Sequence, residues 1–175
     1  MTDARTSSTN VSPEATFADR AGKIKLVATD IDGVWTDAKM YYSAEGDLLK
    51  AFSTYDGMAV QLLREAGIPV AIVTSEQTEI VKRRAEKLSI EHVFLGETDK
   101  LGRVRRLCSE MGIGLDEVAY MGDDVNDIEL LSAAGLSAMP CGSPVLDVFT
   151  PDLVTETPGG RGAFREFADL ILKHR

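Results

Sequence analysis

Two short acidic stretches carry the side chains best suited to chemistry. In residues 24–37 (Ile-Lys-Leu-Val-Ala-Thr-Asp-Ile-Asp-Gly-Val-Trp-Thr-Asp), the apolar run 26–28 reads as a buried strand with Asp30 and Asp32 at its C-terminal end. Alternate residues of an extended chain share a face, so the two carboxylates start side by side. Gly33 then lets the chain turn away and re-aim the second over the first. Such a pair can bind a divalent cation through oxygen, or divide the work of nucleophile and general acid. The competing reading is a solvated turn after a strand. In residues 122–127 (Gly-Asp-Asp-Val-Asn-Asp), Asp123, Asp124, Asn126 and Asp127 again follow a strand-like run, 118–121. Carboxylates this close repel one another without a cation, which favours a metal site over a turn.

Further polar groups stand at equivalent places. Residues 68–73 read as a strand ending in Thr74-Ser75-Glu76. Hydroxyls there, facing the start of a helix, suit a phosphate, or serve equally well as an N-cap. Lys100 opens a helix after the strand 92–95, against the preference of the macrodipole. The run Lys82, Arg83, Arg84 and Lys87 reads as the solvated face of the helix 79–88, and His92 and His174 have no ligand spacing.

The elements that must position these groups alternate strand and helix. Helices are expected from Asp56 to a stop at Gly67, over 79–88, from Lys100 (Leu101, Val104, Cys108, Met111), after Asp127 (Ile128, Leu131, Ala134) and over 163–173. A fifth strand is expected at 136–139. Repeated strand–helix units predict an α/β fold with a parallel sheet between helices. The informative polar groups then gather on one edge of that sheet, where open α/β folds bind ligands. Residues 38–53 read as a β-hairpin turning at Gly46, whose wide apolar faces make it a candidate interface with Tyr42 and Phe52 as anchors. Residues 1–22 read as a flexible polar leader and 23–175 as one domain; residues 157–175 form a C-terminal element that begins with a flexible Pro158-Gly-Gly-Arg-Gly162.

Composition narrows the class. The 175 residues are 44% hydrophobic and 27% charged, as in an ordinary globular domain. A formal net charge of −9 argues against a general nucleic-acid binder but not against a phosphorylated small molecule, since a bound metal can reverse the local field. Cys108 and Cys141 are too few and too distant for a disulfide scaffold or a zinc site, and read as free thiols. No run suits a membrane span or a signal peptide, so a cytoplasmic protein is expected.

The four segments Asp-x-Asp-Gly-Val-x-Thr-Asp, Thr-Ser, Lys and Gly-Asp-Asp-x-x-Asp, in this order, resemble the four motifs of the haloacid dehalogenase superfamily of phosphatases. The resemblance implies a Rossmann-like fold, an Asp30 nucleophile forming an aspartyl-phosphate, and Asp32 as general acid/base. It implies that Thr74, Ser75 and Lys100 bind the phosphoryl group, and that Asp30, the Asp32 carbonyl and Asp123 hold Mg2+, with Asp124, Asn126 and Asp127 behind them. The first two motifs are separated only by a hairpin and a helix, and the next pair by one helix and one strand. This resembles the capless branch, whose members are homotetramers in which a neighbouring subunit helps close the site. Within that branch, Glu76 and Lys87 are similar to substrate-binding positions of phosphatases acting on 2-keto-3-deoxynonulosonate 9-phosphate. The closing Gly-Gly-Arg-Gly resembles the tail of those acting on 3-deoxy-D-manno-octulosonate 8-phosphate. Arg161 is thus expected to meet a substrate carboxylate. Ser75 stands where relatives often carry Gly. Alternatives are an N-acylneuraminate 9-phosphate phosphatase, a non-catalytic tetramerisation module like those linked to sialic-acid cytidylyltransferases, or a phosphomutase. Intact acidic motifs oppose the module, and the lack of a cap opposes the mutase.

Overall fold

The computed structural model describes residues 13–175. The chain builds a six-stranded parallel sheet in the order β5-β4-β1-β6-β7-β8, from β1 (Leu26–Thr29), β4 (Val70–Val73), β5 (His92–Phe94), β6 (Val118–Met121), β7 (Leu136–Cys141) and β8 (Leu153–Pro158). A separate antiparallel pair, β2 (Tyr41–Ser43) and β3 (Gly46–Leu49), forms the hairpin. Its turn lies at residues 44–45, with Gly46 (φ 119°) already the first residue of the returning strand.

Strands β1, β4 and β6 are buried along their whole length, so both faces of the sheet must be covered. Alternation divides the work. Val27, Ile72, Met121 and Ala138 face a core built with α2 (Thr54–Glu65), α3 (Glu79–Leu88) and α6 (Ala163–Lys173). Leu26, Ala28, Val73 and Tyr120 face α4 (Lys100–Met111) and α5 (Ile128–Ala133). Helix α3 starts on the hydroxyl of Thr78 and stops at Ser89, which takes the left-handed conformation (φ 54°). The cap is therefore Thr78, and the Thr74-Ser75 pair is not the N-cap that its position also allowed.

Two expectations need correction. Residues 13–21 are not part of a flexible leader: Pro13–Ala21 form helix α1, with Ala21 fully buried and Arg20 paired to Asp152 at 2.5 Å. The polar composition hid a helix short of apolar period, fixed by tertiary contacts; residues 1–12 lie outside the described residues. The C-terminal element is not flexible either, since Glu166 accepts from the backbone N–H of Glu156 (2.8 Å) and Thr157 (2.9 Å), locking β8 to α6. Strand β8 went unread because its residues, Leu-Val-Thr-Glu-Thr-Pro, describe a half-exposed edge strand ending in Pro. In the hairpin segment, Phe52 packs partly buried against the core with Arg84 over its ring at 5.6 Å. Tyr42, in contrast, is 64% exposed.

The chain leaves β1 toward β4 and β5 on one side and returns through β6 to its other side. The switch point therefore falls between the tips of β1 and β6, where a crevice opens in such sheets. Both acidic stretches end there.

Candidate active site

The loop after β1 owes its shape to the apolar residues between its acids. The Ile31 carbonyl accepts from the N–H groups of Val34 (3.2 Å), Trp35 (2.8 Å) and Thr36 (3.2 Å), closing a tight turn. Ile31, Val34 and Trp35 are fully buried, and the Trp35 ring lies 5.0 Å from that of Phe164 on α6. The Trp35 indole donates to the Thr29 hydroxyl at 3.1 Å, while Asp30 N–H donates to Met121 C=O at 2.9 Å. The acids are thus held from below by the core and from the side by β6. Gly33 is required twice: its φ is 86°, and a Cβ there would collide with the Asp123 carboxylate.

Lys100 is the electrostatic centre. Its ammonium, almost fully buried, lies 2.9 Å from Asp30 Oδ2 and 2.6 Å from Asp127 Oδ1. Burial alone would lower its pKa, but the charges and hydrogen bonds of Asp30 and Asp127 outweigh that, and the net shift is upward. This pairing accounts for a cation at a helix start; the cap itself is Asp99, accepting from Gly102 N–H at 2.8 Å. Asp127 is saturated: Oδ1 takes Lys100 and the Tyr120 hydroxyl, and Oδ2 takes the N–H groups of Asp123 (2.9 Å) and Asp124 (3.2 Å). Burial of the phenol, and then the same Asp127 charge, push the Tyr120 pKa well up.

Asp30 and Asp123 are in the opposite condition. Oδ1 of Asp30 is buried without a hydrogen-bond partner. Burial, then the charge of Asp127, pushes the Asp30 carboxyl up to about 6 despite Lys100. Burial, then the charges of Asp30, Asp127 and Asp124, pushes Asp123 up to about 8. Oxygens of Asp30, Asp123 and Asp127 lie within 4.8 Å of one another. An unpartnered buried oxygen beside carboxylates that resist ionisation fits a hard divalent cation, which binds through oxygen and would relieve the repulsion. Asp127 has no lone pair to spare for it.

Thr74 is buried at the tip of β4, and its hydroxyl oxygen accepts from Glu76 N–H at 3.3 Å, leaving the hydroxyl hydrogen for a ligand. Ser75 is engaged otherwise: its hydroxyl donates to Glu97 C=O and accepts from Asn126, each at 3.2 Å, tying the loops after β4, β5 and β6 together. Asp124 caps the short turn that follows it, accepting from Val125 N–H at 2.7 Å. Asp30, Asp32, Thr74, Glu76 and Asp123 share an open cleft of about 200 Å³.

Arg161 borders an adjoining cleft of about 350 Å³ that shares Ala38 and Asp123 with the first. The Gly-rich segment bearing it lies directly on the β1 loop: Gly160 N–H donates to Val34 C=O at 3.0 Å, and a Cβ on Gly159 would strike the Gly33 carbonyl. Lys87 is not brought to the cleft. It sits in the last turn of α3, whose first turn faces the strand tips, about 12 Å further along the axis at 1.5 Å per residue.

One residue at the site was missed by the sequence. Lys50, just past the hairpin, buries its side chain and places Nζ 2.6 Å from Asp32 Oδ1. A lone Lys between Leu48-Leu49 and Ala51-Phe52 was the available signal.

A sequence profile of haloacid dehalogenase-like hydrolases matches residues 40–135. The 3-deoxy-D-manno-octulosonate 8-phosphate phosphatase of Haemophilus influenzae is 37% identical over 150 residues, covering 86% of this chain and 83% of that protein. A crystal structure of the phosphatase of that name from Moraxella catarrhalis, in complex with magnesium, phosphate and KDO, superposes with a TM-score of 0.87 at 37% identity, covering 91% of each chain. A putative subfamily III A hydrolase from Legionella pneumophila superposes with a TM-score of 0.88 at 39% identity, covering 93% of this chain and 89% of that one. The chain belongs to the haloacid dehalogenase-like hydrolases.

Proposed function

We propose that the protein is a magnesium-dependent phosphomonoester hydrolase that acts on 3-deoxy-D-manno-octulosonate 8-phosphate through an aspartyl-phosphate. One observation carries this reading: a buried carboxylate, Asp30, is clamped through one oxygen by Lys100 and left open through the other, beside Asp123 and Thr74. Magnesium held by Asp30, Asp123 and the Asp32 carbonyl would neutralise charge on the phosphoryl oxygens.

The chain's own groups then divide the work. Thr74 and Lys100 hold the equatorial oxygens in a geometry that keeps Asp30 in line with the ester bond. An Asp30 oxygen attacks phosphorus, and the ester oxygen departs with a proton from Asp32. A water then yields its proton to Asp32 and attacks phosphorus, releasing inorganic phosphate and restoring Asp30. The Asp127–Tyr120 pair positions Lys100 and takes no part in bond making.

The eight-carbon substrate rests on the names of the relatives, and the two adjoining clefts, one lined by Glu76 and the other by Arg161, are where a polyhydroxylated carboxylate would lie. We infer a homotetramer from the hairpin, where Met40, Tyr41, Tyr42, Leu48 and Leu49 are exposed together. Phosphate release from eight- and nine-carbon ulosonate phosphates, with magnesium or with EDTA, tests the reading. The eight-carbon ester should give the highest kcat/KM, with no turnover in EDTA. A preference for 2-keto-3-deoxynonulosonate or N-acylneuraminate 9-phosphate would overturn the substrate, and no release from any would favour the non-catalytic module.

A further inference from the structure

Asp32 is held asymmetrically. Its Oδ1 accepts from the Thr36 hydroxyl at 3.2 Å and from Lys50 Nζ at 2.6 Å, while Oδ2 is buried and has no partner. The carboxylate is therefore pinned through one oxygen, its other oxygen is buried and unpaired, and Asp32 lines the cleft together with Asp30 and Thr74. Lys50 comes from outside the sheet. It immediately follows β3, so the hairpin delivers it, and its side chain is 2% exposed. A buried lysine is costly unless paired, and among the described residues its one ion pair is with Asp32. Thr36 alone would leave the carboxylate free to rotate about its terminal torsion, which is broad for Asp.

We propose that Lys50 is a positioning residue for proton transfer: by anchoring Oδ1 of Asp32 it fixes the orientation of that carboxyl group toward the departing ester oxygen, and so couples the seating of the hairpin to the leaving-group step. The inference rests on Asp32 being the general acid of the proposed reaction. Its reach is confined to the two proton transfers of Asp32, of which kcat/KM reports the first. Attack by Asp30 and phosphoryl binding by Thr74 and Lys100 do not pass through Lys50, whereas protonation of the leaving oxygen does.

A leaving-group series isolates that step. Esters with good leaving groups, such as p-nitrophenyl phosphate, depart with little help, whereas alkyl and weakly activated aryl phosphates need the proton. The logarithm of kcat/KM is to be plotted against leaving-group pKa for the wild type, Asp32→Asn, Lys50→Met and Lys50→Gln. Both Lys50 variants should steepen the slope in the same sense as Asp32→Asn. They should lose about 10- to 100-fold on the poorest leaving group and less than about 5-fold on p-nitrophenyl phosphate, within the range general acids contribute. Lys50→Arg, which restores a donor, should recover part of the slope. A parallel loss across the series in both Lys50 variants, with Asp32→Asn steep, overturns the role of Lys50 and leaves the general acid standing. A slope unchanged in Asp32→Asn removes the general acid, and the inference with it.

Discussion

The acidic loops after β1 and β6 look alike in sequence and are opposites in structure. In the β1 loop, Asp30 and Asp32 each have one oxygen held and one buried oxygen without a partner. In the β6 loop, Asp127 has both oxygens filled by four donors, one of them the Lys100 that also holds Asp30. The number of carboxylates does not give the number of ligands. Polar satisfaction does, because a saturated buried carboxylate is part of the scaffold and an unsatisfied one is waiting for a partner. Asp123 lies between the two, contributed by the β6 loop but with a carboxylate oxygen within 4.8 Å of one of Asp30, beside the space that Gly33 leaves.

The sharpest way to break this contrast is to replace one carboxylate from each loop. Asp30→Asn should reduce kcat by more than about 1,000-fold, because an amide is not the nucleophile a carboxylate is, while the melting curve stays close to wild type. Asp127→Ala should do the reverse in emphasis. It strands the Tyr120 hydroxyl and two backbone N–H groups and leaves Lys100 with Asp30 alone, so a stability loss of about 3 kcal/mol is expected in urea unfolding. If Asp127→Ala unfolded like the wild type, it would not be the scaffold member of the pair.

A second test uses pH. Asp30 (about 6) and Asp123 (about 8) are raised above their ordinary values in the metal-free protein, chiefly by burial. A carboxyl raised in the folded state binds its proton more tightly there than when unfolded. The metal-free fold should therefore lose stability as pH rises from about 4 toward 8. Magnesium favours the ionised pair, so the rise in Tm on adding it should be larger at pH 8 than at pH 6, and binding should release protons. Equal rises at both pH values would mean that the ion binds elsewhere. In Asp123→Asn the pH dependence of this rise should largely vanish.

How much of this was legible in the sequence follows from the same contrast. The strand tips were legible because buried parallel strands read as short apolar runs, and Asp30, Asp32, Thr74, Lys100 and Asp123 each follow one within a few residues. Helices α3 and α6 were legible because their apolar period is strong, although the Thr78 cap of α3 showed only in the structure. What was not legible depends on contacts distant in sequence. Helix α1 and edge strand β8 take their shape from α6 and β7, and the grip of Lys50 on Asp32 spans 18 positions. The segment from Pro158 to Gly162 was misread for a related reason. Glycines that free a linker look the same in sequence as glycines that permit a close approach, and only the neighbouring backbone of Gly33 and Thr36 tells them apart.

That distinction makes Arg161 the smallest and most selective test. Its backbone is tied down, because Arg161 N–H donates to Pro158 C=O at 3.3 Å and its neighbour Gly160 is bonded to Val34. The guanidinium is exposed at the rim of the cleft that adjoins Asp123, so it can meet a distal carboxylate without touching the phosphoryl group. An exposed charge contributes modestly. Arg161→Ala should lower kcat/KM for the ulosonate phosphate by about 3- to 10-fold, mostly through KM. It should leave p-nitrophenyl phosphate, which has no carboxylate, within about 2-fold of wild type by the same reasoning. Equal losses on both esters would mean that the residue steadies the loop carrying Asp30 and Asp32, and the fixed tail would then belong to the scaffold alongside Asp127.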